Sequence, residues 1–448
     1  MGRRLTFPKL VTTSFFGHGP RGFPSTPCPT SHSSTAFFAD TKHSHWWQGT
    51  ESAYSCRMGA SRNPRDIVIR CSGGHHPVRL AGGRRFWLAA RCPVCRAAVD
   101  PRRTGRLLGW LKSLGRPASA WWLHRVVWWG SLVTFVAVVA SAGLLWGLSD
   151  VWWPATILLF GPRWVFLLPV ALMILLAFLW DRALIPSLLL TALIVLGPVM
   201  GLRTGWRSVL TGRQDGDLRV VSFNAGGGVD LTRTSMAMLR EWSADLAAFQ
   251  ECAGELSASL REALDWQVDI RSGVCFASRF PITEVTEMER EALESAGGSG
   301  VAVTYTLDVN GSPVHVTNVH LETPRAGFEL LRAGHLLEGI PRIAEKSFLR
   351  GIELRRARVW ADGFVGPHIV LGDFNTPPES RPYRQVWGRW QNTFSLFGRG
   401  LGGTRRNGWI RARIDHILAN GDLKVTGAWL GGDLGSDHLP LVASLRIR

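Results

Sequence analysis

Three long apolar runs without a charged side chain follow one another in the first half of the chain, at 126–148, 164–180 and 183–202. Each has close to the roughly 20 residues that a membrane-spanning helix needs. Tryptophans stand near the ends of these runs, as in membrane interfacial belts, at Trp128, Trp146, Trp164 and Trp180. Three such runs without a polar face disfavour buried helices of a water-soluble protein. The pattern therefore predicts a three-helix membrane anchor over 126–202.

The charges that flank these runs predict an orientation. Residues 1–210 contain 24 basic and 6 acidic side chains, and the segment 101–125 before the first run is strongly basic. Basic flanks stay on the cytoplasmic side, so we expect a multi-pass protein of the cell membrane with a cytoplasmic N-terminus. Three crossings then place the second half of the chain outside. This depends on a tight hairpin at Asp181-Arg182, and without that hairpin the second half would lie inside.

Residues 1–100 are rich in Gly, Pro, Ser, Arg and His and lack a sustained helical or strand period. Such a composition is typical of a disordered basic tail. No apolar stretch with a cleavage site follows the first charged residues, so no signal peptide is predicted.

From residue 217 to 448 the pattern changes to alternating strands and helices. Strands are predicted near 219–223, 245–249, 274–277, 301–307, 314–319, 368–371, 414–418 and 439–445, and helices near 232–242 and 328–360. Polar and acidic residues recur where these strands end, which is where α/β folds place their chemistry. The second half is therefore predicted to be an α/β domain with a functional site.

The charge balance of this half limits its partners. Residues 211–448 contain 27 basic and 28 acidic side chains, so the domain lacks the basic surface expected of a nucleic-acid-backbone binder. Its one basic cluster is the loop 399–413. The two cysteines of this half, Cys252 and Cys275, are compatible with one disulfide or with two buried thiols.

Six short segments at predicted strand ends carry residues suited to metal binding or acid–base chemistry. They are Ser222-Phe223-Asn224, Phe249-Gln250-Glu251, Asn318-Val319-His320-Leu321-Glu322, Gly372-Asp373-Phe374-Asn375, Ile414-Asp415-His416 and Ser436-Asp437-His438. An isolated Asp is usually a cap or turn residue, and an isolated His is usually structural. The ordered set of six is what predicts a catalytic site.

This set resembles the endonuclease/exonuclease/phosphatase superfamily, which includes DNase I-like nucleases, inositol-polyphosphate phosphatases and neutral sphingomyelinases. The resemblance covers 217–448 and implies a DNase I-like four-layer α/β sandwich on the three-helix transmembrane anchor. Within the superfamily, 320–325 and 372–379 resemble a bacterial membrane-anchored branch, the VanJ-type teicoplanin-resistance proteins. The resemblance leaves residues 1–100 unexplained.

Three residues of the set form the expected metal site. The carboxylates of Glu251 and Asp437, with the amide oxygen of Asn224, are hard oxygen ligands. Such ligands suit Mg²⁺ or Mn²⁺ rather than Zn²⁺. The resemblance implies that this metal sits on a phosphate oxygen of the substrate.

The resemblance also implies the catalytic roles. Asp373 would orient and deprotonate the attacking water, while Asn375 holds the phosphate or the water. His438 would be the second catalytic group, with its charge supported by Asp415. His320 resembles the family's phosphate-contacting histidine.

The expected substrate is a lipid phosphate, such as a polyprenyl diphosphate, at the outer membrane face, with Arg405 and Arg406 as binding residues. A sphingomyelinase-like phospholipid phosphodiesterase is a variant of this hypothesis. The alternative is a surface endonuclease whose loop 399–413 binds the nucleic-acid backbone. Four tryptophans could line an apolar approach or could pack in the core, namely Trp387, Trp390, Trp409 and Trp429.

Overall fold

The structure is a computed structural model that describes residues 67–70, 77–80, 121–210, 217–226, 237–252 and 265–448 except 409, with single helical positions at 258, 260 and 262. The chain divides into two units, Met1–Ala118 and Ser119–Arg448. In the first unit, strands β1 (Ile67–Arg70) and β2 (Pro77–Leu80) form an antiparallel pair. The predicted disorder of 1–100 otherwise concerns residues outside the described ones, as does most of the basic segment 101–125.

The second unit begins with apolar helices. They are α1 (Trp121–Leu148), α2 (Trp153–Phe160), α3 (Leu167–Trp180) and α4 (Ile185–Ile194), the last continuing into a π-helical turn at Val195–Val199. Three segments of the described chain are long and apolar enough to cross a membrane, at Trp122–Leu148, Arg163–Trp180 and Arg182–Val199. The three predicted apolar helices are thus confirmed, with boundaries that differ by zero to four residues.

The three long helices alternate in direction. Val127, Ala177 and Leu188 pack together at one end of the bundle. Leu145 and Val199 pack together at the other end. The tight connection at Asp181 therefore does form a hairpin, in which Asp181 Oδ1 accepts a hydrogen bond from the Ala183 amide at 3.3 Å.

Two mixed six-stranded sheets form the remainder of this unit. One sheet has the order β17-β18-β4-β5-β7-β6 and the other β12-β16-β11-β10-β9-β8. Their strands are β4 (Leu218–Asn224), β5 (Leu246–Gln250), β6 (Gln267–Arg271), β7 (Val274–Ser278), β8 (Ile282–Glu287), β9 (Val301–Val309), β10 (Ser312–His320), β11 (His368–Asp373), β12 (Gln391–Asn392), β16 (Asp415–Ala419), β17 (Leu423–Leu430) and β18 (Leu441–Ile447). Smaller strands are β3 (Arg203–Thr204), β13 (Arg399–Gly400), β14 (Arg405–Asn407) and β15 (Ile410–Ala412). The remaining helices are α5 (Trp206–Leu210), α6 (Glu291–Ser295), α7 (Arg325–Arg332), α8 (Leu336–Asp362), α9 (Arg381–Trp387) and α10 (Thr393–Phe397).

The sheets face each other across an apolar core to which both contribute, with Phe276 and Tyr305 stacked at a centroid distance of 4.2 Å. A second cluster covers the outer face of the first sheet and includes Leu239. A third places α8 on the outer face of the second sheet, through Leu354 and Ala357. Helix, sheet, sheet and helix give four layers, so the predicted fold class is confirmed.

The apolar helices dock on this sandwich through buried ion pairs. Asp150, in the turn after α1, pairs with Arg350 of α8, and both side chains are at most 2% exposed. Arg163, before α3, pairs with Glu379 at 3.0 Å. Asp150, Arg350 and Glu379 are buried, and the Arg163 side chain is 9% exposed. An unpaired buried charge is strongly unfavourable, so these pairs make the position of the sandwich on the helices specific.

The sequence left open whether the tryptophans pack in the core and whether the two cysteines form a disulfide, and their positions in the structure answer both questions. Trp387 is buried in the α8–α9 cluster, Trp390 packs beside it, and Trp429 packs on the outer face of the first sheet. Trp387 is therefore a core residue, and Trp390 and Trp429 are partly buried against these clusters. Trp409 lies outside the described residues. Cys252 and Cys275 form a disulfide that ties the end of β5 to β7.

Candidate active site

Strand direction gathers the predicted site residues at one edge of the sandwich. The pairs β4–β5 and β10–β11 are parallel, so their carboxyl ends lie together. β16 and β18 run antiparallel to their neighbours, so their amino ends lie at the same edge. The last residues of β4, β5, β10 and β11 therefore lie at the same edge as the first residues of β16 and β18.

Three of these residues form a row across the second sheet. His320 is in register with Asp373, and Asp373 is in register with Asp415. The backbones of β10 and β11 approach each other closely at this row. A Cβ on Gly372 would lie 1.9 Å from the Val319 carbonyl oxygen, so the position has no room for a side chain. Gly372 also has a φ of 135°, a region that favours glycine.

Asp415 of this row forms a buried pair with His438. His438 Nδ1–H donates to Asp415 Oδ2 at 2.9 Å, and both side chains are 1% exposed. His438 Nε2 faces Asp373 Oδ2 and Asp437 Oδ1, each at 3.9 Å. Burial acts to lower the pKa of His438, but the Asp415 carboxylate outweighs it and the pKa rises to about 9. At neutral pH this imidazole is a cation.

Asp373 lies at the centre of the site. Its Oδ1 accepts from the Asn375 amide at 2.8 Å, and its Oδ2 accepts from Asn224 Nδ2 at 3.0 Å. Burial and the neighbouring Asp415 raise the pKa of Asp373, against the opposing effect of His438. Asn375, with a φ of 46°, bonds through its side chain to the Leu321 carbonyl at 2.8 Å. A carboxylate with a raised pKa is suited to accept a proton from water.

Glu251 and Asn224 approach Asp373 from the first sheet. Asn224 Nδ2 lies 3.2 Å from Glu251 Oε1, while Asn224 Oδ1 accepts from the Gly226 amide at 2.9 Å. His320 Nε2 lies 3.7 Å from Glu251 Oε1. The amide nitrogen of Asn224 therefore faces the carboxylates, and ligation of a metal by its oxygen would require the amide to turn.

The donor set fits a hard divalent cation. Carboxylate oxygens of Asp373 and Asp415 lie within 4.8 Å of each other, and Asp415 Oδ1 is buried without a hydrogen-bond partner among the described residues. Glu251 and Asp437 add carboxylates at the same edge. Clustered carboxylates suit Mg²⁺ or Mn²⁺, and the unsatisfied oxygen of Asp415 extends the candidate ligands beyond the predicted three.

The two predicted substrate-binding arginines have different contacts. Arg405 Nη2 pairs with Asp437 Oδ2 at 3.2 Å, at the edge of the site. Arg406 pairs with Asp433 at 2.6 Å and donates to the Ser436 carbonyl at 3.0 Å. Arg405 is thus placed next to the site, whereas the contacts of Arg406 hold the segment that precedes Asp437.

Buried polar residues that the sequence did not single out hold the site loops. Glu353 of α8 accepts the Glu322 and Gly300 amides, the latter at 2.8 Å, and Lys346 pairs with Glu322 at 3.0 Å. Glu353 and Lys346 lie far in sequence from the residues they bind, so spacing along the chain gave no signal for them. His416 does belong to one of the six segments that the sequence singled out, but it points away from the site, and its Nε2–H donates to the Thr376 carbonyl at 2.9 Å.

The raised pKa of His438 predicts a pH dependence. If the imidazolium is the working form, activity should fall as the pH rises through about 9. Asp415→Asn removes the charge that raises the pKa, so this alkaline limb should move to lower pH. The folded protein holds the His438 proton more tightly than the unfolded chain does, so the Asp415–His438 pair contributes its full free energy of folding below pH 6.5. That contribution is lost as the pH rises through about 9. Rate–pH profiles of both proteins test this, and superimposable alkaline limbs would refute the assignment.

The second half of the chain is similar to known proteins. Residues 221–438 match the model of the Endonuclease/Exonuclease/phosphatase family. Comparison with curated protein sequences gives no match. Similar solved structures include D. rerio TDP2 complexed with single-strand DNA product, at 15% identity and a TM-score of 0.41, covering 52% of this chain and 100% of that one. An endonuclease/exonuclease/phosphatase from Beutenbergia cavernae has 22% identity and a TM-score of 0.37, with coverage of 52% and 72%. The human Nocturnin catalytic domain with bound sulfate has 18% identity and a TM-score of 0.37, with coverage of 52% and 94%.

Proposed function

We propose that the C-terminal domain, of which residues 221–438 match the model of the Endonuclease/Exonuclease/phosphatase family, hydrolyses a phosphoester or phosphoanhydride bond of a lipid-linked phosphate. The observation that carries this proposal is the linkage between the catalytic loop and the apolar helices. The loop that begins at Asp373 and Asn375 ends at Glu379, whose carboxylate pairs with Arg163 at the start of a candidate membrane span. The site is therefore held close to the membrane surface.

The residues of the site support a direct attack of water on phosphorus. Asp373 accepts a proton from the attacking water, and its orientation is held by the Asn375 amide and by Asn224. The His438 imidazolium, charged through Asp415, stabilises the negative charge that develops on the phosphoryl oxygens. Asn375 and Arg405 hold the phosphate in place.

A divalent cation is the proposed cofactor. Held by Glu251 and Asp437 with one or more of the neighbouring carboxylates, it would neutralise charge on a phosphate oxygen. Mg²⁺ is our choice because all of these donors are carboxylate oxygens, and Mn²⁺ would replace it.

An outer-face position follows from two features of the chain. Three antiparallel spans put the basic segment before α1 and the catalytic domain on opposite faces, and the basic face is cytoplasmic. The disulfide between Cys252 and Cys275 is favoured in an oxidising compartment, which is outside the cytoplasm. This arrangement is the one expected of the VanJ-type branch.

A substrate panel tests the proposal. Purified full-length protein in detergent with Mg²⁺ would receive undecaprenyl diphosphate, sphingomyelin and plasmid DNA in parallel. We expect phosphate release from the polyprenyl substrate with weak dependence on salt. Cleavage of DNA alone, with activity that falls steeply as salt rises, would refute the lipid substrate and favour a nuclease.

The disulfide gives a separate stability prediction. It closes a loop with a sequence separation of 23, which corresponds to about 3 kcal/mol of unfolding free energy. It also follows Glu251 directly, so its loss should loosen a proposed metal ligand. The double variant Cys252→Ala/Cys275→Ala should unfold at lower denaturant and should not respond to reductant. If reductant leaves unfolding of the unmodified protein unchanged, the bond is not formed.

A further inference from the structure

A cavity of about 280 Å³ adjoins the candidate active site. At one side it reaches Asn375 and Arg405, the residues placed next to the reacting phosphate. Asn375 donates its amide hydrogen to Asp373, and Arg405 pairs with Asp437. Any group that fills this cavity would therefore be attached to, or close to, the phosphate.

Three parts of the chain build its apolar wall. The ring centroids of Phe160, at the end of α2, and Phe328, in α7, lie 5.5 Å apart. Pro324 continues the wall from the start of α7, and Ile410 and Ile414 close it from the β15–β16 region. Aromatic and branched aliphatic side chains offer contact to an apolar group without competing hydrogen bonds.

The position of Phe160 relates this wall to the apolar helices. Helix α2 connects the first and second candidate membrane spans, which end at Leu148 and begin at Arg163. The packing of Leu159 with Leu145 and Val199 fixes α2 against the ends of the first and third spans. The cavity is thus bounded by the same end of the bundle that would meet the membrane surface.

We infer that this cavity binds the first part of the hydrocarbon chain of the substrate, next to its phosphate, and this inference rests on the proposed function. The chain would pass from the bilayer along α2 to the wall formed by Phe160 and Phe328, and the phosphate would reach Asn375 and Arg405. The cavity edge carries the exposed side chains of Arg325, Glu329 and Arg332, and this excess of positive charge suits the anionic headgroup. Chain burial would distinguish lipid phosphates from soluble phosphoesters.

Chain-length selectivity tests the inference. The full-length protein in detergent with Mg²⁺ would be assayed with farnesyl diphosphate and with the short dimethylallyl diphosphate. Ala412→Phe fills the cavity, and Phe328→Ala removes part of its wall. Each should lower the ratio of kcat/KM for the long to the short substrate by about 10- to 50-fold. Phe348→Ala is the matched control, because Phe348 is 66% exposed on α8 and does not line the cavity.

Cross-linking separates failure of this inference from failure of the proposed function. A long-chain alkyl phosphonate with a diazirine near its phosphonate should label the residues around Phe160, Phe328 and Ile410. If the unmodified protein hydrolyses neither diphosphate, the proposed function fails, and the labelling site still decides the inference. Labelling elsewhere, a long-to-short ratio unchanged in Ala412→Phe, or labelling of the cavity by a photoreactive oligonucleotide would each overturn it.

Discussion

Asp373→Asn is expected to lower kcat by about 10³-fold or more while the domain stays folded. The amide keeps the size of the carboxylate, and its Oδ1 can still accept from the Asn375 amide. It cannot accept a proton from water, and it removes a negative charge that lies 3.9 Å from His438 Nε2. Steady-state phosphate release by the purified variant measures the effect.

The matched control for this substitution is Asp308→Asn. Asp308 accepts the Gly311 amide in an exposed turn, a role that asparagine also fills. Its kcat should remain within twofold of the unmodified protein. A value for Asp373→Asn within tenfold of the unmodified protein would show that another group activates the water.

Asp150→Asn is expected to destabilise the protein by about 3–5 kcal/mol, because it leaves Arg350 buried and unpaired. Asp150 has a φ of 59°, which asparagine tolerates, so the loss of charge is the main change. The Arg350 guanidinium also lies over the Phe160 ring at 5.5 Å, so its displacement would disturb the wall of the cavity. Denaturant unfolding of the full-length protein in detergent measures the loss.

The double variant Asp150→Asn/Arg350→Met separates charge from packing. With the cation removed, no buried charge lacks a partner, and methionine retains much of the apolar volume. Most of the stability lost in Asp150→Asn should therefore return. A double variant less stable than either single variant would show that the ion pair itself, and not the unpaired charge, determines the docking.

The sequence predicted which candidate site residues follow or precede strands, because strand ends are a local signal. Asn224, His320 and Asp373 each follow a β-rich run, and Asp415 and His438 precede one. Parallel and antiparallel pairing then brings both kinds of position to the same edge. The α/β class and three apolar helices were likewise visible as periodicity and as uncharged runs.

The docking of the two parts was not predictable, because its contacts join residues about 200 positions apart. From the sequence, Asp150 is typical of a turn residue, and Arg350 is one of several charged residues on a predicted helix. Only the packing of α2 against α8 makes them partners. The disulfide remained open for the same reason, since Cys252 meets Cys275 only through the pairing of β5 with β7.

The edge strands β6 and β8 were missed because their residues are mostly half-exposed and polar, as in Gln267–Arg271. Edge strands face neighbours on one side only, so they carry a weaker apolar pattern. The sequence left open whether the tryptophans line an apolar approach or pack in the core, and Trp387 and Trp390 pack against α8. Indole side chains have a large apolar surface, and most of that surface is usually buried in a core.

The most direct test is phosphate release from polyprenyl diphosphate by the full-length protein reconstituted in lipid vesicles with Mg²⁺. We expect release that stops with a chelator, returns with Mg²⁺ or Mn²⁺, and is lost in Asp373→Asn. Release that persists in Asp373→Asn or in excess chelator, or the absence of any release from the unmodified protein, would contradict this expectation.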